Sequence, residues 1–400
     1  MSRPPPQTPA SSQSAELSEL HQFQNGQLRD PAQIVSHWSK GGEVDPRLLE
    51  YDVSGEWWET LEECGITLLV TREYEHLIMA MQSPARVSYL SLPHPSGLVA
   101  DRKRMVVHVA STRNPNQVFD LVPISGTSNR LDGLPARAEN ELIPVRSRIF
   151  PGCLYLHDLA LLSGRLHANG VGENAILRLD NDGRVERVWW PKCIETDKGP
   201  IFGRNHIQLN SIAAGKDLTD SFFSASASQV TRFRPGHLRF PVDKRGVIFS
   251  GATREPCVQG LTRPHSARFH RGTVWVDNSG YGELGFAKAG GFDPVVKLPG
   301  WTRGLCFKRD IAFVGTSRVI PRFRRYAPGL NVDSSICAVH AVDVRTAKIR
   351  GSLSWKWGNQ IFAIDWMPRT VTSGFPWVVG RSKPTRIKRL FYAFTTELNQ

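Results

Sequence analysis

The chain has 400 residues, 40% hydrophobic and 22% charged, and its 50 Lys and Arg against 37 Asp and Glu give a net charge of +13. These proportions, with 34 Gly and 27 Pro, fit a soluble globular fold rich in turns, and the longest apolar runs, at 66–70 and 77–81, are far too short to span a bilayer. Six scattered cysteines without a C-x-x-C pair argue against a disulfide framework or a cysteine-rich zinc site, and the opening MSRPPPQTPASSQSAELSEL has no apolar leader, so the expected location is cytoplasmic.

Residues 1–51 are expected to be a mostly disordered tail, because the first thirty are rich in Pro, Ser and Gln and poor in large apolar groups. The pattern then changes. In SGEWWETLEECG, Trp57, Leu61 and Cys64 fall at i, i+4 and i+7, which predicts one short helix with Ser54 as N-cap and Gly65 as its stop. Beyond Gly65 come short apolar or alternating runs bounded by Gly, Pro, Asn and Asp: 66–70, 76–81, 87–92, 105–110, 117–122, 175–179, 185–190, 246–250, 273–276, 311–314, 338–344 and 349–355. An all-β chain of this length has many strand edges to hide, and closed or radially repeated sheets hide them.

A polar corner followed by a small-apolar run recurs at His94 (HPSGLVAD), Leu156 (LHDLALLSG), Leu209 (LNSIAAGK), Pro264 (PHSARFHRG), Thr302 (TRGLCFKRD) and Gln360 (QIFAIDWMP). After each corner comes a second strand, then often a hairpin such as LDNDGRVERVW. The unit reads as a propeller blade whose first strand lies near the axis. The prediction is therefore an all-β protein, a single β-propeller of about six blades over residues 52–381, in which strands between Ile66 and Leu92 complete the blade begun near Ile361. Residues 382–400 read as a basic C-terminal tail, and the basic stretch 317–329 as a solvated loop.

Corner side chains converge on the mouth of the central channel. The candidates are His94, His157, Asp158, His206, Asn210, His265, Asn278, Glu283 and Arg303. Each alone is an ordinary turn former or core histidine, but a turn repeated for structure alone does not require histidine. His157, His206 and His265 would suit a divalent ion such as zinc, manganese or iron, with Asp158 or Glu283 supplying charge. Without metal, His157 and Asp158 would form an oriented general base, and Arg303 would hold a carboxylate or phosphate. GVGENA at 170–175 lacks the helix a dinucleotide loop needs, and DNDG at 180–183 lacks the later ligands of a calcium loop, so both read as hairpins. Neither G-x-S-x-G, H-E-x-x-H nor a Walker loop is present.

LPHPSGL, YLHDLA, HIQLNSIA, RPHSARFHRGTVWVDNSGYGELG, LPGWTRGLCF, IAFVGTSR and QIFAIDWMP, in that order, resemble an uncharacterised, mostly bacterial family of predicted β-propellers, a domain of unknown function. With GITLLVTREYEHLIMAM at the start, the resemblance covers about residues 64–368. It implies the propeller fold. The kinship of that fold to gluconolactonase-like and strictosidine-synthase-like propellers transfers no activity. Where the family tends to show Glu-Ile-Phe-Asp-Val, this chain has Gln360-Ile361-Phe362-Ala363-Ile364, so two carboxylates are missing, and Asp365 lies two positions further on. The leading expectation is small-molecule binding or catalysis at the channel mouth, of hydrolase, lactonase or isomerase type, with a divalent metal as one route. The alternative is a non-catalytic scaffold whose basic rim, Arg318 to Arg325, binds a protein partner. Nucleic acid ranks third, because no recognition motif accompanies the basic clusters, and no membrane partner is expected.

Overall fold

The computed structural model describes residues 44–112, 116–125, 140–288 and 290–380. The expected N-terminal tail lies outside them up to residue 43, and the C-terminal tail lies outside them entirely.

Strand β1 (Tyr51–Gly55) leads into helix α1 (Trp57–Cys64). The apolar spacing that predicts the helix also explains its packing. Trp57, Leu61 and Cys64 are buried, and Gly65 ends the helix at φ 65°, a left-handed conformation that glycine adopts without a Cβ clash. Ser54 is not its cap. That residue pairs with Ser352 inside β1, and Glu56 occupies the cap position without a side-chain bond.

Three strands follow, β2 (Ile66–Arg72), β3 (Leu77–Gln82) and β4 (Arg86–Ser91). The first blade is β5 (Pro95–Asp101), β6 (Val106–Ser111), β7 (Asn116–Ser125) and β8 (Asn140–Phe150). The second is β9 (Leu156–Leu162), β10 (Arg165–Gly170), β11 (Ala175–Leu179) and β12 (Val185–Trp189), followed by a small hairpin of β13 (Glu195–Thr196) and β14 (Gly199–Pro200). The third is β15 (Leu209–Ala213), β16 (Phe222–Ala225), β17 (Gly246–Ser250) and β18 (Pro256–Leu261). The fourth is β19 (Pro264–His270), β20 (Thr273–Asn278), β21 (Glu283–Lys288) and β22 (Gly291–Lys297). The fifth is β23 (Trp301–Lys308), β24 (Ile311–Ser317), β25 (Ala338–Asp343) and β26 (Lys348–Trp355), with β1 added outside β26. The sixth takes its inner strand, β27 (Ala363–Pro368), from near the end of the chain and β2, β3 and β4 from near its beginning, with β28 (Trp377–Val378) outside β4.

The molecule is thus the six-bladed propeller that the repeats predict, closed as expected, with Val70 opposite Ile364 across the joining ladder. The outer strands β1 and β28 are additions that the repeats do not announce. Each innermost strand packs beside the next around the axis, so each inner edge lies against a neighbouring blade. Apolar side chains fill the spaces between blades, as where Trp57 meets Phe313 edge to face at 6.1 Å. Among the described residues no helix is long and apolar enough to cross a membrane, and all six cysteines are free.

The inner strands share one local device. In five blades the register between the first and second strands shifts near the start of the inner strand, at 95–98, opposite 169–170, at 209–211, at 265–268 and at 302–305. Such bulges twist a strand and re-aim its side chains, here where the corner residues lie. The backbones also run close together: a Cβ on Gly97 of β5 would lie 2.8 Å from the main chain of Asp158 on β9. Gly97→Ala is expected to force the two strands apart and to lower stability by about 1–3 kcal/mol, read from the chemical denaturation midpoint. An unchanged midpoint would show that this spacing is not a constraint.

Candidate functional site

The first residues of the inner strands meet at one end of the channel. Ser96, His157, Asn210, His265 and Arg303 come from five blades, Phe362 precedes β27 in the sixth, and all six are buried.

The Nδ1 of His157 lies 3.0 Å from the Asn210 carbonyl oxygen, and its Nε2 lies 2.7 Å from Arg303 Nη2. A carbonyl only accepts and a guanidinium only donates, so the proton sits on Nδ1 and the lone pair on Nε2. His265 has the same tautomer, with Nδ1 2.8 Å from the Arg263 carbonyl oxygen and 3.1 Å from Ser279 Oγ. The two ring centres are 5.7 Å apart, with Phe362 packed against His157 and Trp301 against His265. Burial pushes both imidazoles well below their usual pKa, and the charge of Arg303 pushes the same way. Both are neutral at pH 7.

Two guanidiniums stand beside them. Arg303 donates from Nη1 to the Gln360 amide oxygen at 2.7 Å, and the Gln360 nitrogen donates to Glu73 Oε2 at 3.1 Å, with the amide assigned from this network. The Arg303 Cζ lies 3.4 Å from the centre of the Phe362 ring. Its nearest counter-charge is therefore one residue removed. Arg263, 6% exposed, donates to the Pro235 carbonyl at 2.6 Å and to Ser226 Oγ at 3.3 Å and lies over Tyr326 at 4.0 Å. Its Nε is buried without a partner, as is Oδ1 of Asn210. Burial lowers the Arg263 pKa to about 10, which still leaves it charged at neutral pH. Among the described residues neither arginine is ion-paired with a carboxylate.

The basic loop expected to be solvated is packed over this mouth. Its turn Pro321–Tyr326 places Phe323 and Tyr326 on Trp301, Arg325 donates to the carbonyls of Gly236 and His237, and Arg324 pairs with Asp333.

Asp158 has a different partner from the one expected. Arg268 binds its carboxylate through two bonds of 2.7 and 3.0 Å, and the Ile212 amide donates to it at 3.0 Å. The His157–Asp158 general base is not built, since His157 turns its Nδ1 to a carbonyl instead. The three-histidine metal site is not assembled either. His206 is half-buried, and its backbone amide donates to Asn174 Oδ1. Among the described residues no three His, Cys, Asp or Glu side chains form a metal-holding group. With a guanidinium on His157 Nε2 and a second cation nearby, these donors do not fit a divalent ion. His94 packs on His76, ring centres 4.3 Å apart, and its amide meets His76 Nδ1 at 3.1 Å. Asn278 donates to Glu283 Oε2 at 2.8 Å and accepts from the Thr262 amide at 2.7 Å, so these two residues close a turn. Arg263, Gln360 and Glu73 were not among the sequence candidates, although Arg263 adjoins one quoted corner and Gln360 opens another; Glu73 lies in the turn between β2 and β3, far away in sequence.

A family model described as "Domain of unknown function (DUF4915)" matches residues 55–374. No curated protein matches the sequence. Among solved structures, one in a nidogen/laminin complex aligns at 10% identity and TM-score 0.50, covering 75% of this chain and 98% of that one. A protein of unknown function from Bacteroides caccae aligns at 12% identity and TM-score 0.49, covering 76% and 98%. A gluconolactonase from Xanthomonas campestris aligns at 13% identity and TM-score 0.42, covering 73% and 86%. At such identity the first is a likeness of fold alone, and the other two add nothing to it.

Neutral buried histidines make stability depend on pH. Their folded pKa lies below the unfolded value of about 6.5, so the unfolded chain takes up protons first as the pH falls. Their contribution is complete above about pH 7 and is lost as the pH drops through 6.5. His340, lowered by burial to about 4, acts in the same sense. The denaturation midpoint is expected to fall between about pH 7 and 5, and a His157→Gln, His265→Gln double variant to show a flatter profile. Equal slopes would remove the two histidines from this account.

Proposed function

This chain belongs to the DUF4915 family, whose description names no activity, and from the geometry we propose that the channel mouth binds a small organic anion from which His265 takes a proton. The observation that carries this reading is the pair of buried guanidiniums, Arg263 and Arg303, set beside two neutral imidazoles without a carboxylate ion pair. A buried charge without a partner costs several kcal/mol, and a carboxylate or phosphate ligand offsets that cost through charge-assisted hydrogen bonds. Arg303 is the clamp. The unpartnered Arg263 Nε and Asn210 Oδ1 offer one further donor and one further acceptor.

His265 holds its proton on Nδ1 against the Arg263 carbonyl, which leaves Nε2 as the proton acceptor. In the free protein it is a weak base, because burial and the nearby cations disfavour the imidazolium. A bound anion reverses the second effect, since its negative charge favours the protonated ring. The substrate thereby strengthens the base that acts on it. Loss of a C–H proton beside a carboxylate suits this arrangement: the proton passes to His265, the electron pair moves onto the adjacent oxygens, and Arg303 stabilises them. Where a double bond lies next to that carbon, the electron pair also reaches the far carbon of the double bond, and return of the proton there, with the double bond shifted by one position, would complete an isomerisation.

Calorimetric titration with malonate and with inorganic phosphate is expected to show saturable binding with proton uptake near pH 6. Arg303→Gln should weaken it at least about tenfold, and His265→Gln should abolish the proton uptake while changing affinity only a few-fold. No saturation by either anion up to about 10 mM, or undiminished affinity in Arg303→Gln, would overturn the proposal.

A further inference from the structure

A cavity of about 660 Å³ lies between the first two blades, a size suited to a small ligand. It opens on the face opposite the histidines, since β9 starts at the mouth with His157 and ends at Leu162, beside the turn at Gly164 that lines the cavity. Its floor is apolar, built from Val106, Val122, Leu166, Leu179 and their neighbours.

The polar lining is unbalanced. Arg104, Arg146, Arg148 and Arg165 face Asp120 and Asp180, a surplus of two positive charges. Asp120 is already heavily engaged: it accepts from Arg146 Nε at 2.7 Å and from Arg148 Nη2 at 2.7 Å, and it meets His108 Nδ1 at 2.6 Å. Burial would raise its pKa, but these partners outweigh it and hold the carboxyl at about 2. The Nε of Arg148 is buried without a partner, although the side chain is only 4% exposed. The guanidinium of Arg165 is exposed and has no partner among the described residues. Arg146 is half-exposed, and Arg104 is braced against Asp101 and the Gly164 carbonyl, both at 2.9 Å.

We propose that this cavity is a second binding site, for a small phosphomonoester with an apolar body. The phosphate dianion matches the surplus charge and meets Arg104, Arg146 and Arg165 at the rim, while the body lies on the valines and leucines. The site is independent of the channel mouth and does not rest on its reading.

Phenyl phosphate is a suitable probe, with orthophosphate and phenol as its separate halves. Calorimetry on the full chain is expected to show saturable binding of phenyl phosphate, at least about tenfold tighter than either half. An Arg165→Gln variant, an exposed change that should keep the wild-type denaturation midpoint, is expected to lose several-fold in affinity, and an Arg146→Gln, Arg165→Gln double variant, which also takes a partner from Asp120, at least about tenfold, whereas Arg303→Gln should lose none. No saturation up to about 10 mM, equal affinity in the double variant, or loss in Arg303→Gln would each overturn the site. Binding of orthophosphate as tight as that of phenyl phosphate would overturn the apolar part of the assignment.

Discussion

One ion pair crosses the channel, and the arrangement on both sides of it depends on that crossing. Arg268 on β19 grips Asp158 on β9, and the pair also bonds to both backbone groups of Ile212 on β15 and to the Leu305 carbonyl on β23. Four of the six inner strands are joined through two side chains. A buried pair of this kind contributes more to geometric specificity than to stability, because desolvation cancels much of the attraction. Its larger effect is on the charges around it. With Asp158 committed to Arg268, the histidines above have no carboxylate neighbour, and they remain neutral between cations.

The mouth is therefore electropositive and without a free carboxylate, the opposite of what a metal centre requires, although its imidazoles are uncharged. Gln360 contributes to that balance. A carboxylate at its position would pair with Arg303 directly and satisfy it within the protein. The amide only relays Arg303 to Glu73, which holds the guanidinium in place while leaving much of its charge unneutralised. Below the ion pair, the other end of the channel opens into a cavity of about 330 Å³ whose lining includes Arg268, Cys306 and Asp365. There Asp365 accepts from the Ala100 amide and Arg102, so it replaces neither missing carboxylate of the mouth.

Much of the fold could be read from the sequence because a propeller repeats its instructions. Glycine punctuation, apolar runs and the corner at each inner strand recur, so an error in one blade is corrected by the others, and each expected run falls on a strand to within one residue at its ends. Features that occur once could not be read in this way. The pairing of β1 with β26 and the unused cap at Ser54 depend on contacts made nearly three hundred residues away. The site divides similarly. His157, Asn210, His265 and Arg303 recur at equivalent places and do converge, whereas the link of Asp158 to Arg268 depends on how the bulge after His265 turns one side chain across the channel. Charge partnership is set by orientation, to which a spacing argument is blind.

The sixth blade has a consequence for how the chain is made. Its outer strands β2, β3 and β4 are synthesised before all five other blades, and the inner strand that covers β2, β27, only after them. Until then the β2 edge has no partner in its own chain, although all seven of its residues are buried in the folded molecule. A chain that stalls before residue 363 presents that edge to its neighbours. Five blades can then be complete, yet the ring is open, and the same ladder that seals one molecule can join two.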